Sequence, residues 1–445
     1  MNYLLGYINN YNIQVVILGV ALLGLSSGAL GTFLVFKRQA LIADVMSHST
    51  LVGVVCAYLF LLALGDLERT LLPFLIGGGI SGFLGVFVCS ILRNRCGFKE
   101  DSAQAIVLSV FFGLGVVLIS IAQNLEGASI AGLESFIYGK SAGLLARDVW
   151  WILGVSLIVL LLLTTLFKEL TLIVFDPVAA SARRFPVGIV EAVLLVVTAA
   201  LTVVGIQSVG LMLMVGLFII PPATARFWSD RISRVCFIAA LFGACSAIIG
   251  SISTVRFDDL PSGPMIILSS SGLFFISMLF APYRGVLAKL FKRRRFARRI
   301  RLEHLLRSMY EITEDHEAGP FQLISIDQIA RHRGVKPEYF RSLVGRGVRK
   351  GILVVSPEGE AVALTNEGFV EAARITRIHR LWEQYLIHAA EIGADHVDHD
   401  ADLTEHVSSP AIVLQLERYM EQEGIRVISP HIVKAGSDGR VKLTE

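Results

Sequence analysis

Residues 289–301 read KLFKRRRFARRIR, and eight of these thirteen residues are Lys or Arg. The run separates two unlike halves of the chain. Before it, residues 1–284 hold 16 Lys+Arg, 14 Asp+Glu and a single histidine, His48. From residue 285 onward, 161 residues hold 24 Lys+Arg, 23 Asp+Glu and nine histidines. The whole chain is 54% hydrophobic and 17% charged, against about 25% charged in an average soluble domain. A disordered chain and a fully soluble enzyme are both excluded. The first half is long enough for several membrane spans, and the second has the size of one polar domain. The basic run fits anchoring against anionic lipid, and a nucleic-acid patch is its second reading.

Working back from the run, a membrane helix needs about 20 mostly apolar residues. Nine stretches qualify: 14–36, 40–64, 73–92, 102–121, 149–167, 187–206, 209–225, 235–255 and 265–283. The third and fourth are rich in glycine, which suits close helix packing in lipid. Residues 136–146 could instead be re-entrant, which makes the expected count eight to nine. Alternate joints are basic (Lys37-Arg38, Arg93…Lys99, Lys168…Arg184, Arg226…Arg234, Arg284 onward), and the others are acidic or polar, with Lys140 and Arg147 as exceptions on the outer side. The positive-inside rule then puts the N-terminus outside and the polar tail in the cytoplasm. The first 14 residues carry no Lys or Arg, so the first apolar run reads as a retained span rather than a signal peptide. All five cysteines lie in the apolar half. Their odd number argues against a disulfide framework.

Ionisable groups within spans are costly and mark function by default. Asp44 and His48, in LIADVMSHSTLVGV, are four apart and share a helix face. Carboxylate oxygen and imidazole nitrogen suit divalent manganese, iron or zinc. A polar helix–helix contact is the alternative. Glu191 reads as facing the interface or a neighbouring helix. Residues 175–186, FDPVAASARRFP, form a short polar helical pattern opened by Asp176 and Pro177 as N-cap and first turn. Such a helix is either a docking surface for a soluble subunit or an ordinary amphipathic loop.

Several blocks resemble, in order, the permease subunits of manganese/zinc/iron ABC importers: ADVMSHSTLVGV, KEDSAQAIVLSVFFGLGVVLIS, FDPVAASA, GIQSVGLMLMVGLFIIPPATARFWSDR and DLPSGPMIIL. The resemblance covers residues 14–283. It implies a multi-pass protein of the bacterial inner membrane that transports a divalent transition metal. It further implies a separate ATPase subunit, an extracytoplasmic metal-binding protein, and a second permease subunit, either a homologue or a second copy. By that resemblance Asp44 and His48 are transport-path ligands, and Asp176, Pro177, Arg183 and Arg184 meet the ATPase. No G-x-x-x-x-G-K-[ST] phosphate loop is present, so the chain is not expected to be an enzyme.

Working forward from the basic run, RLEHLLRSMYEITE shows helix period through Leu302, Leu305, Leu306, Met309 and Tyr310. ISIDQIARHRGV and KPEYFRSLVGRGVRKGIL then read as helix, glycine turn, helix. ILVVSPEGEAVALT follows as strand, turn, strand, the wing of a winged helix. Arg341, Arg346, Arg349 and Lys350 make the second helix basic and suited to DNA. A winged helix that binds only protein is the alternative. Downstream, His396, His399 and His406 lie among acidic residues, as metal ligands or as a solvated loop.

Residues 302–420 resemble iron/manganese-dependent repressors of the diphtheria-toxin-repressor type, through LTNEGFVEAARITRIHRLWEQYL and DLTEHVSS. The resemblance makes Asp402, Glu405 and His406 ligands of one site and His379 and Glu383 ligands of its neighbour. The ion would then be effector as well as substrate. Where the family's first helix supplies further ligands, this chain has His304 and Arg307. An arginine cannot ligate a metal, which predicts an altered sensing site. The expected architecture is mostly α: a membrane bundle (1–284), a basic linker (285–301), a winged helix-turn-helix (302–366), and a helical metal-binding and dimerisation region with a C-terminal tail (367–445). A membrane-tethered metal-dependent transcription regulator without transport is the competing reading, although an anchor needs neither nine spans nor Asp44 and His48.

Overall fold

The computed structural model describes residues 11–39, 41–64, 71–125, 146–183, 185–256, 262–315, 321–389, 410–425, 432–435 and 441–444. The expected re-entrant stretch falls almost entirely outside them. The chain divides into two compact units, Met1–Lys289 and Leu290–Glu445.

The first unit consists of helices among the described residues: α1 (Tyr11–Phe36), α2 (Ile42–Ala63), α3 (Leu71–Asn94), α4 (Glu100–Gln123), α5 (Ala146–Thr165), α6 (Phe167–Phe175), α7 (Pro177–Ala182), α8 (Val187–Val209), α9 (Leu211–Ala225), α10 (Ile232–Arg256) and α11 (Ser262–Phe280). Eight of these, α1 to α5, α8, α10 and α11, are long and apolar enough to cross a membrane. The stretch expected at 209–225 is the exception. Its helix α9 has 15 residues, about 22 Å at 1.5 Å per residue, and carries Pro221 and Pro222 inside it. Gly210 alone joins α8 to α9, at φ 92° and ψ 162°. That backbone conformation is open to glycine and strained for residues with a Cβ. A Cβ on Gly205 would strike the Met214 side chain, so α8 and α9 pack closely beside the joint.

Small residues set the helix crossings. A Cβ on Gly24 or Gly243 would collide with the backbone of the other, and one on Gly28 would strike the Ala239 carbonyl. Gly24 and Gly28 on α1 therefore meet Ala239 and Gly243 on α10 as two small-xxx-small pairs. Gly53 on α2 meets Gly77 on α3 in the same way. The two glycines of α4 differ from each other: Gly113 has open space around it, whereas Gly115 is buried against the Leu51 and Val52 side chains of α2. Lipid offers no hydrophobic gain for helix association, so this close backbone approach and its dispersion contacts supply the attraction. Two hydroxyl contacts reinforce it. Ser26 Oγ lies 3.1 Å from Ser156 Oγ across α1 and α5, and Ser81 Oγ donates to the Ser49 carbonyl at 2.7 Å across α3 and α2.

The second unit begins within α12 (Val286–Asp315). β1 (Ile324–Ser325), α13 (Ile326–His332), α14 (Pro337–Arg349), β2 (Leu353–Val355) and β3 (Ala361–Leu364) follow, then α15 (Asn366–Ala389) and α16 (Pro410–Gln422). The strands pair antiparallel in the order β1-β3-β2, with Ile324 opposite Val362 and Leu353 opposite Leu364. This is a winged helix. α13 is capped by Ser325, whose hydroxyl accepts from the Asp327 N–H. Gly334 follows at φ 66°, a left-handed helix stop, and α14 starts at Pro337. Leu302, Leu305, Leu306, Met309 and Tyr310 are all buried, and they share one core with Ile329, Phe340, Leu343 and Phe369. α16 lies against α15 through Tyr385 and Tyr419, ring centroids 5.5 Å apart, and through Arg377 and Glu417 at 2.9 Å. In the C-terminal tail, for which no secondary structure is predicted from the sequence, β4 (Ile432–Ala435) and β5 (Val441–Thr444) pair antiparallel.

Candidate metal sites in the two units

In the first unit, α2 presents Asp44 in its first turn and His48 one turn later. His48 Nε2 lies 3.3 Å from Asp44 Oδ1. The imidazole stands edge-on to Phe112 of α4, centroids 5.0 Å apart. Its Nδ1 is buried and has no hydrogen-bond partner among the described residues. With Nε2–H directed at the carboxylate, Nδ1 carries the lone pair. A carboxylate that orients an imidazole in this way raises its basicity as a ligand. Ser47 is otherwise engaged, donating to the Ala43 carbonyl at 2.8 Å. Among the described residues no three His, Cys, Asp or Glu side chains converge as a ligand set. Asp44 and His48 thus form a two-residue site.

Near the start of α2, a small open cavity of about 80 Å³ is lined by Lys37, Gln39, Arg93, Glu100, Gln104 and Glu191, among others. Glu191 is bonded to Lys37 Nζ at 2.7 Å, so it faces a neighbouring helix end. Arg93 reaches Glu100 at 3.5 Å. Gln39 Oε1 and Gln104 Oε1 are buried without a partner among the described residues. Sequence reasoning missed both glutamines because a single uncharged amide, in the joint before α2 for Gln39 and near the start of α4 for Gln104, carries no spacing signal. α1 ends beside this cavity with Arg38 at φ 62°, a left-handed position that costs a non-glycine residue about 1–2 kcal/mol.

The 175–186 stretch contains the expected short helix. Asp176 Oδ1 accepts from the Ala179 N–H at 2.8 Å, and Pro177 opens the first turn of α7. Val178 is 76% exposed, Phe175 60%, and Arg183 is also exposed. Arg184 lies outside the described residues.

In the second unit, α14 buries Phe340, Leu343, Val344 and Gly347. Arg341, Arg349 and Lys350 are exposed and Arg346 is half-buried. Arg341, Gly345 and Arg349 form one outward stripe at four-residue spacing, and a Cβ on Gly345 would meet nothing within 4 Å. The turn of the wing, between β2 and β3, carries Glu358 and Glu360, so the basic surface belongs to the helix.

Asp402, Glu405 and His406 lie outside the described residues. His379 and Glu383 are placed on α15, with His379 Nε2 3.0 Å from Glu383 Oε1. Arg307 of α12 reaches the other ring nitrogen: its Nη1 lies 2.7 Å from His379 Nδ1, and its Nε donates to Glu311 Oε1 at 2.6 Å. His332 Nε2 lies 3.3 Å from Glu311 Oε2. His304 Nδ1 is met by Arg333 Nη2 at 2.7 Å. Nearby, Arg380 pairs with Glu314. Burial, helped by the Glu314 carboxylate, pushes the Tyr310 phenol up to about 12, so it stays protonated in this core. His379 and Glu383, as placed, do not fit a divalent ion, because a guanidinium already occupies the imidazole lone pair.

A model of the ABC 3 transport family matches residues 9–281, more than half of the chain. A model of the iron dependent repressor metal binding and dimerisation domain matches residues 365–423. The manganese transport system membrane protein MntC of Bacillus subtilis (strain 168) is 34% identical over 389 residues, 87% of this chain and 87% of that protein. An alignment of that length runs well beyond residue 281 and into the second unit. The zinc transport system membrane protein TroC of Treponema pallidum (strain Nichols) is 37% identical over 295 residues, 66% of this chain and 97% of that protein. Among solved structures, PsaBC from Streptococcus pneumoniae in complex with Fab contains a similar chain. Its TM-score is 0.56 at 27% identity, covering 64% of this chain and 97% of that one. A bundle with eight membrane-length helices, followed by a winged helix and a repressor-type α15–α16 pair, accounts for both family matches. The chain belongs to the ABC 3 transport family, as a multi-pass membrane permease joined to a soluble domain of the iron-dependent-repressor type.

Proposed function

We propose that the chain is a membrane subunit of an ABC importer for divalent manganese, iron or zinc, and that the Asp44–His48 pair serves the ion in transit, His48 contacting it through Nδ1 and Asp44 orienting the ring. The observation that carries this reading is the buried, unpartnered His48 Nδ1 beside a carboxylate-oriented Nε2 on a membrane helix. A lone pair held ready away from water favours a cation that accepts nitrogen donors. The transport systems of the MntC and TroC relatives, named for manganese and zinc, point the same way. ATP hydrolysis comes from a separate ATPase docked on α7, and an extracytoplasmic binding protein delivers the ion. A second permease subunit, a homologue or a second copy, completes the pathway. Reconstitution tests the proposal. Vesicles holding the chain, its ATPase and its binding protein take up manganese or zinc with ATP and not without it. Equal uptake in both conditions refutes an ATP-driven importer.

The second unit, on this reading, lies in the cytoplasm and is metal-responsive through Asp402, Glu405 and His406. It contacts DNA through Arg341, Arg346, Arg349 and Lys350. Neutralising four phosphates gives log K a slope of about −3.6 against log salt, and each Arg→Ala variant removes about one from that slope. A shift assay across salt concentrations reads this directly. A purified chain that shifts no DNA at low salt would leave the winged helix as a protein-contact module.

A further inference from the structure

Glu383, His379, Arg307, Glu311 and His332 form one polar chain through the second unit, crossing from α15 over α12 to α13. Arg307 is at its centre. It is 5% exposed and is the one buried Lys, Arg, Asp or Glu among the described residues. A guanidinium has five N–H donors and no acceptor, and it does not deprotonate in proteins. An imidazole nitrogen 2.7 Å from it must therefore present its lone pair, so His379 Nδ1 is unprotonated. The ring proton then sits on Nε2 and is donated to Glu383 Oε1.

This fixed tautomer leaves no nitrogen of His379 for an ion. The lone pair faces a permanent positive charge, and the other nitrogen carries the proton. Moving the proton to Nδ1 to free Nε2 would set N–H against N–H. His379 is itself 1% exposed, so water cannot screen the conflict. Arg333 covers His304 Nδ1 with the same guanidinium–imidazole geometry at 2.7 Å. Two imidazoles, His304 of α12 and His379 of α15, are thus held by arginine.

We propose that Arg307 is the resident cation of the α12–α15 seam: its guanidinium stands between Glu311 and His379 where a divalent ion would stand, and it closes His379 and Glu383 to metal. The seam is held without an ion. Any metal response of this unit then runs through ligands other than His379. This inference goes beyond the transport reading and does not depend on it, since every comparison below is between variants with the same first unit.

The test counts manganese ions bound per full-length chain in detergent, by electron paramagnetic resonance of the free ion, with gel filtration to check each variant. The wild type and His379→Gln are expected to bind the same number of ions with the same affinity. Arg307→Ala, which uncovers Glu311 and His379, is expected to bind one ion more. That ion is lost again in Arg307→Ala/His379→Gln and is absent in Arg307→Lys, which keeps the positive charge. Loss of an ion from the wild type on His379→Gln overturns the proposal, as does a well-folded Arg307→Ala with no ion gained. Should Arg307→Ala fail to fold, the wild-type and His379→Gln pair still decides it.

Discussion

Asp44→Ala and His48→Ala each reduce divalent-metal uptake to background while the protein remains in the membrane at its normal level. Disturbing a residue that merely orients a metal ligand costs about 10–100-fold in affinity or activity, and a two-residue site has no spare ligand to share the loss. The folding consequence is small by comparison. Asp44 and His48 bond to each other within one helix, and the α2–α3 crossing rests on Gly53, Gly77 and Ser81 instead. Asp44→Asn sharpens the test. It retains the side-chain volume and can still accept from Nε2–H, but it lacks the charge that favours a divalent ion. Its uptake is expected to fall with that of Asp44→Ala. Ser47→Ala, whose hydroxyl only returns to the Ala43 carbonyl, is expected to transport normally. Uptake of radioactive manganese by cells expressing each variant, normalised to membrane protein, is the measurement. Undiminished uptake by both Asp44→Ala and His48→Ala would reduce the pair to a helix-packing contact.

Val178→Asp is expected to lower co-purification of the ATPase at least tenfold and to abolish ATP-driven uptake with it. Phe175, the last residue of α6, and Val178 of α7 are large apolar side chains left open between spans. A charge at the centre of an apolar contact must be desolvated without a partner when the ATPase docks. α7 itself has only six residues, far below the length at which an isolated helix is stable in water, so its cap matters. Asp176→Ala removes the bond to Ala179 and costs about 1 kcal/mol, enough to fray the helix and weaken docking to a lesser degree. A pull-down of tagged permease from membranes, probed for the ATPase, separates the grades: strong loss for Val178→Asp and partial loss for Asp176→Ala. Full ATPase recovery with Val178→Asp would place the docking surface elsewhere.

Features that depend on local period were legible from residue order alone. Asp44 with His48 and His379 with Glu383 are four-residue spacings, and a helix brings such pairs together whatever surrounds it. The N-cap at Asp176, the glycine stop at Gly334 and the apolar stripe of Leu302, Leu305, Leu306, Met309 and Tyr310 are of the same kind. Their hydrogen bonds and faces follow from 3.6 residues per turn. The alternation of basic and polar joints and the density of charge after residue 284 separated membrane from aqueous chain, because transfer of charge into hydrocarbon is costly wherever it occurs.

Tertiary structure decided what lies between elements. Gly24 and Gly243 are 219 positions apart, and nothing in either helix alone announces that their backbones touch. Lys37 finds Glu191, and two amide oxygens, of Gln39 and Gln104, meet in one cavity, only because five helix ends converge there. Residue order raised Arg307 as a non-ligand. Only the packing of α12 on α15, 72 residues apart in sequence at this contact, put its guanidinium against Nδ1 of His379. Hydrogen bonds within a helix are set by its period. Contacts between helices are set by which side chains a whole core can bury together, and that competition is settled only in the folded chain.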